Sequence, residues 1–217
     1  MRRLAILLGL TFAAFAQDAT PTFGVTVVDP YGLKGEVYLL KRGASKLPKF
    51  EKLEPVGTIY ASSLNIAPRD FDSGFPGVTD RFEWFAIDYN GRFWIEKPEK
   101  YRFSLVSDDG SKLYIDDHLV INNDGVHPAI AVQGSVNLAG GLHRIRVSYF
   151  QGPRYHVALM LGVAGPGEEF RVFNTEEFRP PRNPDEWKYG TPTGTLDVPP
   201  DPNAGRRKLG KPSKLLP

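Results

Sequence analysis

Residues 101–117 read Tyr101-Arg102-Phe103-Ser104-Leu105-Val106-Ser107-Asp108-Asp109-Gly110-Ser111-Lys112-Leu113-Tyr114-Ile115-Asp116-Asp117. Tyr101, Phe103 and Leu105 alternate with Arg102 and Ser104, the period of two that puts apolar side chains on one face of a strand and polar ones on the other. Lys112 to Asn122 reads as a tight hairpin turning at Asp116-Asp117, where aspartate tolerates a positive φ better than most residues. The same alternation returns downstream: His143, Ile145, Val147 and Tyr149 interleave with Arg144, Arg146 and Ser148. Both stretches have the pattern of half-buried antiparallel strands.

Working outward, further short strands are expected at 23–28, 35–40, 82–89, 91–96, 119–122, 131–138, 155–162 and 170–173. No apolar stripe of period 3.6 spans ten residues, and no internal repeat is visible. Strands unbroken by helices predict an all-β, antiparallel β-sandwich or barrel rather than a parallel sheet. Turn residues are abundant, with 22 Gly and 19 Pro, in keeping with many short connections. The stretch from Lys41 to Thr79, rich in Pro, Ser and Gly, predicts a long irregular excursion with one short helical turn.

Neither end of the chain reads as part of this domain. Met1-Arg2-Arg3 precedes an apolar stretch from Leu4 to Ala16 that closes on Ala14-Phe15-Ala16, the layout of a secretory signal peptide and too short to span a bilayer. Residues 1–16 are therefore expected to be a signal, 17–180 the folded domain, and 181–217 a disordered tail rich in Pro, Gly, Lys and Arg that buries too little to offset its ordering entropy. Export to the periplasm, cell envelope or medium follows, with no membrane span after cleavage. The tail's cluster from Arg206 to Lys211 reads as a solvated extension or as a contact for an anionic glycan or membrane surface. With 27 Lys and Arg against 25 Asp and Glu, total charge gives no reason to expect nucleic acid. The absence of cysteine excludes disulfides, thiolate metal sites, a cysteine nucleophile and a lipidated cysteine anchor.

Chemistry concentrates at Asp108-Asp109-Gly110. Two carboxylates held about 4 Å apart repel by ~1 kcal/mol in water and ~4 kcal/mol at an effective dielectric near 20, so immobilising them calls for a neutralising partner. A hard cation with six to eight oxygen ligands supplies one; an Asp-Asp-Gly turn whose carboxylates cap loop amides and face water is the other reading. Asn122-Asn123-Asp124-Gly125 is a second oxygen-rich loop beside the hairpin, read as a turn or as a contributor to the same ion; it lacks the alternate-position ligands of an EF-hand. His118, His127, His143 and His156 form no zinc-spaced motif, and His143, on the apolar side of its strand, reads as a packed core residue. Trp84 and Trp94 alternate within strands and read as core.

Three segments in order carry a resemblance: Gly32-Leu33-Lys34-Gly35-Glu36, then 101–116, then Gly141-Leu142-His143-Arg144-Ile145-Arg146-Val147-Ser148-Tyr149-Phe150. Over about residues 25–173 the chain resembles the PA-fourteen (PA14) domain, the module named for the anthrax protective antigen and shared with yeast flocculins, adhesins and exported bacterial glycosidases. The resemblance implies a jelly-roll-type β-sandwich that in its adhesin members is similar to a calcium-dependent lectin, with paired aspartates joined by a cis peptide and the ion binding vicinal sugar hydroxyls. Calcium is then the implied cofactor, held by Asp108, Asp109 and Gln151. The implied glycan site is Asp108, Asp109, Asn123, Asp124, Tyr149, Gln151, Arg154 and Tyr155. Gln151 is the one side-chain oxygen of the late loop Phe150-Gln151-Gly152-Pro153-Arg154-Tyr155, and Tyr149 and Tyr155 are the expected aromatic platform, on a loop shaped by Pro153. The expected partner is a glycan or cell-surface polysaccharide; a scaffold contacting another envelope protein is the alternative. No catalytic site is expected: glycosidases place two carboxylates about 5 to 9.5 Å apart across a cleft, which neighbours on one turn cannot do.

Overall fold

The computed structural model describes residues 32–71, 74–78, 82–153 and 155–181. The proposed signal, nearly all of the tail, the expected strand at 23–28, Arg154 and Trp187 lie outside them. Among the described residues eleven strands are formed: β1 (Leu33–Leu39), β2 (Gly57–Ala61), β3 (Asn65–Asp70), β4 (Phe85–Ile95), β5 (Glu99–Asp108), β6 (Ser111–Ile115), β7 (His118–Asn123), β8 (Ile130–Leu138), β9 (Gly141–Gln151), β10 (His156–Ala164) and β11 (Arg171–Val172). Six form one sheet in the order β2-β1-β4-β9-β6-β7; β11-β10-β5-β8 form the other, with β3 also pairing β10. All pairings are antiparallel. The all-β expectation holds. Among the described residues no helix is long and apolar enough to cross a membrane.

The core forms where the apolar parities of the two sheets meet: Phe103 and Leu105 of β5 and Leu159 and Leu161 of β10 pack with Ile87, Phe93, Ile145 and Val147 of β4 and β9. Phe173 and Phe178 close one end of this core, with Phe93 edge-on to both. At the other end Phe75, from the irregular excursion, stacks on Tyr149 at 5.2 Å and meets Phe85 edge-on.

Four details depart from the pattern-based reading. The strands expected at 82–89 and 91–96 are one continuous β4, because Gly91 occupies a pleat position where a side chain would meet Leu33 Cδ2 at 2.8 Å, not a turn. Trp84 lies just before β4 at φ 59° rather than within a strand. It packs with Leu40, Ala86, Phe150, Leu47 and Phe50 in a second apolar cluster, on the outer face of the six-stranded sheet. The excursion contains its helical turn, a single 3-10 turn at Phe50–Lys52, but also β2 and β3. Both are mostly exposed edge strands, and Pro68 interrupts the pattern of β3, so neither shows the alternation that marks a half-buried strand.

The β6–β7 hairpin turns where expected, with Asp116 and Asp117 at φ 49° and 67°, the left-handed pair a two-residue turn demands. Asp116 then becomes a clamp: its Oδ2 lies 2.6 Å from His143 Nδ1, and its Oδ1 accepts the Arg144 amide at 2.8 Å. His143 Nε2 stands 2.9 Å from the Ala139 carbonyl, so both ring nitrogens face acceptors and the imidazolium is the form that satisfies them. Burial opposes that charge, but the bonds to Asp116 and Ala139 outweigh it and raise the His143 pKa. Burial likewise opposes the Asp116 anion, and the bonds to His143 and the Arg144 amide outweigh it and lower the Asp116 pKa.

Two outcomes follow from this packing. Stability from the raised imidazolium is complete below its ordinary pKa of 6.5 and lost as pH rises through the folded value; that from the lowered carboxyl is present above 3.8 and lost as pH falls through the folded value. The difference in unfolding free energy between the parent and His143→Ala, followed by denaturant titration at several pH values, is therefore largest between these limits, at about 2 kcal/mol. Gly110 joins β5 to β6 across the two sheets, and a Cβ there would stand 2.4 Å from Phe150 Cε1 and 2.7 Å from the Gly125 backbone nitrogen. Gly110→Ala is expected to cost about 1 to 3 kcal/mol in the same measurement.

Candidate functional site

β5 belongs to one sheet and β6 to the other, so the chain crosses the sandwich at Asp108-Asp109-Gly110. Opposite this corner, β9 ends at Gln151 and β10 begins at His156, with Ala158 paired to Asp108. Both aspartates are buried, 7% and 3% exposed, and the peptide bond between them is cis. Asp109 Oδ2 accepts the Gly152 amide at 2.7 Å, and its Oδ1 accepts the His127 amide at 3.3 Å. Gly152 permits this approach, since even a Cβ there would come within 3.1 Å of Oδ2. The Ala129 amide serves Asp108.

These donors do not offset burial. Burial is the leading cause that pushes Asp109 up to about 6; the Gly152 amide pulls it back and the Asp108 charge adds to the rise. Burial also raises Asp108, against the opposing pull of His156 and His127. Neither carboxylate has a Lys or Arg partner within ion-pair distance among the described residues. Two hidden, adjacent carboxylates thus share one corner, capped by amides but without a Lys or Arg partner among the described residues, and oxygen-only donors of this kind suit a hard divalent cation. No group of three His, Asp or Glu side chains gathers for a metal among the described residues, so neutral oxygens must supply the rest of any such shell.

The other sequence candidates are placed differently. Tyr149 is no exposed platform: it is 0% exposed, its ring fills the core end against Phe75 and Phe85, and its hydroxyl donates toward the Asp108 carbonyl at 2.7 Å and Gln151 Oε1 at 2.6 Å. Gln151 is also fully buried. Its Nε2 faces three acceptors, Pro153 O and His156 O at 3.2 Å and Asp109 Oδ2 at 3.5 Å, which turns Oε1 toward Tyr149 and away from the carboxylates. The glutamine oxygen expected as an ion ligand is therefore engaged elsewhere, and Gln151 positions Asp109 through its nitrogen. Asp124 is committed to the Lys112 ammonium at 2.9 Å and the Leu47 amide at 2.8 Å, pinning the 41–53 segment. Asn123, 4% exposed, donates to Ser107 Oγ at 2.9 Å and Ile130 O at 3.3 Å; its Oδ1 has no donor among the described residues. Tyr155 is 76% exposed, immediately before β10, and remains available for contact.

Residues that pattern did not single out complete the rim. His127 and Gly152 contribute backbone amides, which leave no mark in sequence. Val126, on the loop that caps Asp109, and Ile130, at the start of β8, expose apolar surface, and Phe82 does so on the segment entering β4.

The PA14 domain model matches residues 42–170. A search of curated protein sequences returned no significant match. Among solved structures, a PA14 sugar-binding domain from an RTX adhesin is similar at 19% identity, TM-score 0.57, over 68% of this chain and 97% of that one. The PA14 domain of the MpAFP antifreeze protein is similar at 19% identity, TM-score 0.56, over 67% and 88%. An anti-sigma factor domain-containing protein from Clostridium clariflavum is similar at 19% identity, TM-score 0.54, over 70% of this chain and 48% of that one. With the family model covering more than half of its length and the same sandwich in these structures, the chain belongs to the PA14 domain family.

Proposed function

We propose that this chain binds carbohydrate at the Asp108-Asp109 corner, with calcium held by the two carboxylates. The observation that carries the reading is the pair of adjacent, buried carboxylates without a Lys or Arg partner among the described residues, which a divalent ion neutralises. Membership in the PA14 family and the likeness to a sugar-binding domain of an adhesin support it. Asp108 and Asp109 would hold the ion, and Asn123, which bonds Ser107 next to Asp108 through its nitrogen, has an amide oxygen without a donor among the described residues. The ion, when bound, supplies open coordination positions for sugar hydroxyls. The protein's own part is to fix Asp109 between the Gly152 and His127 amides, to orient the corner through Tyr149 and Gln151, and to present Tyr155, Val126 and Ile130 as an apolar rim on which a sugar ring can stack. Export through the signal at residues 1–16 is part of the same reading.

Two outcomes test it. Calorimetric titration of the parent with calcium gives a saturable heat that Asp108→Ala and Asp109→Ala each weaken by at least roughly tenfold, and chelator abolishes binding on a glycan array. Absence of calcium heat in the parent overturns the ion, and binding that persists in chelator moves the sugar elsewhere. Because the ion needs the Asp109 anion, whose folded pKa is about 6, calcium affinity is flat above neutral pH and falls by about tenfold per unit once pH drops below that value.

A further inference from the structure

The outer face of the six-stranded sheet is covered at one end by the 41–53 segment, through Leu47, Phe50 and Leu53 packed on Leu40, Ala86 and Phe150. Beyond that cover the register sets an uninterrupted cross-strand row: Tyr60 of β2 opposite Lys34 of β1, Lys34 opposite Asn90 of β4, Asn90 opposite Arg146 of β9, and Arg146 opposite Tyr114 of β6. Their chain neighbours Ile59, Leu33, Tyr89, Ile145, Val147 and Leu113 point into the core, so all five side chains stand on the outer face. Four strand spacings of about 4.8 Å make the row ~19 Å long. The next row along places Arg92 directly opposite Arg144, a like-charge pairing that weakens a sheet.

The charges on this face are incompletely matched. Glu36 pairs with Lys34 and Asp117 with Arg144, and the buried Asp88 carboxylate on the same face accepts from Ser148 Oγ at 2.6 Å and Asn90 Nδ2 at 3.4 Å, whereas Arg92 and Arg146 have no carboxylate partner among the described residues. Arg146 is held by stacking, its Cζ 3.8 Å from the Tyr114 ring centroid, and its buried Nε has no acceptor. Tyr60 is 50% exposed and bounds the row at the far side. We propose that this face is a second binding surface, for an anionic polysaccharide bearing carboxylate or sulfate groups: the arginines take the anionic groups, Arg146 held in place by the Tyr114 ring, Asn90 Oδ1 a hydroxyl, and the exposed Tyr60 a ring face. A purely acidic peptide would use the arginines but would leave the exposed Tyr60 end without a matching flat apolar partner. Arg146 lies five residues from Gln151 along β9, about 17 Å, so this surface is separate from the aspartate corner.

The test is affinity electrophoresis of the full chain through gels containing polygalacturonate, sulfated dextran or neutral dextran, all in chelator. The two anionic polymers retard the parent and neutral dextran does not; retardation weakens with salt, persists in Asp108→Ala, and drops at least roughly tenfold in apparent affinity in the Arg92→Gln/Arg146→Gln double variant. Arg146→Lys, which keeps the charge but loses the planar stack, gives an intermediate loss. Unchanged melting temperatures show that these variants are folded. Four results overturn the proposal: no retardation of the parent, a double variant that binds like the parent, loss of binding on neutralising Arg206, Arg207 and Lys208 of the tail instead, or equal retardation by polyglutamate, which would make the face a general acidic-protein contact.

Discussion

The β5–β6 corner is the point on which the rest of the structure depends. A sandwich keeps its sheets apart except where the chain passes from one to the other, and one of the shortest of these passages, between β5 and β6, runs through Asp109 and Gly110 alone. Asp109 reaches across to the Gly152 amide at the end of β9, and the Tyr149 hydroxyl reaches the Asp108 carbonyl from within the core. One short polar junction therefore joins interior strands of both sheets, and its carboxylates are hidden because the corner sits between packed elements. Concealment makes the anions costly: a carboxyl in water titrates near 4, and the one at Asp109 has been pushed up to about 6.

The opposite end of the molecule handles the same difficulty differently. Asp116 is also partly buried, but it meets an imidazole that is itself fixed by a carbonyl, and its pKa is lowered instead of raised. The contrast separates a carboxylate that meets a cationic side chain from two that meet no Lys or Arg among the described residues. Local charge matters on the sheet surface as well. A net charge of +2 says nothing of a polyanion, yet strand register alone sets Arg92 against Arg144 and Arg146 between Asn90 and Tyr114.

Much of this was legible in the chain. The alternation at 101–107 and 143–149, the hairpin at Asp116-Asp117 and the Asp-Asp-Gly corner were all visible, because a period of two and a positive-φ turn are local properties. β2 and β3 were not, since an edge strand with one neighbour buries too little to impose alternation. Tyr149 was misplaced for a related reason. Its parity puts it on the apolar side, but that this side is still sealed at the strand's last turns depends on Phe75, a residue from the excursion that had no pattern of its own.

Sequence by itself determined the fold class, the position of the corner and the presence there of two adjacent acids, because each follows from neighbours along the chain. Tertiary structure alone decided which groups face them. The orientation of Gln151 is set by three acceptors contributed by Pro153, His156 and Asp109, and the caps on Asp109 are backbone amides of His127 and Gly152, groups that almost every residue carries. Hydrogen-bond partners of a buried group are chosen by packing between distant segments, and that choice has no signature in residue order.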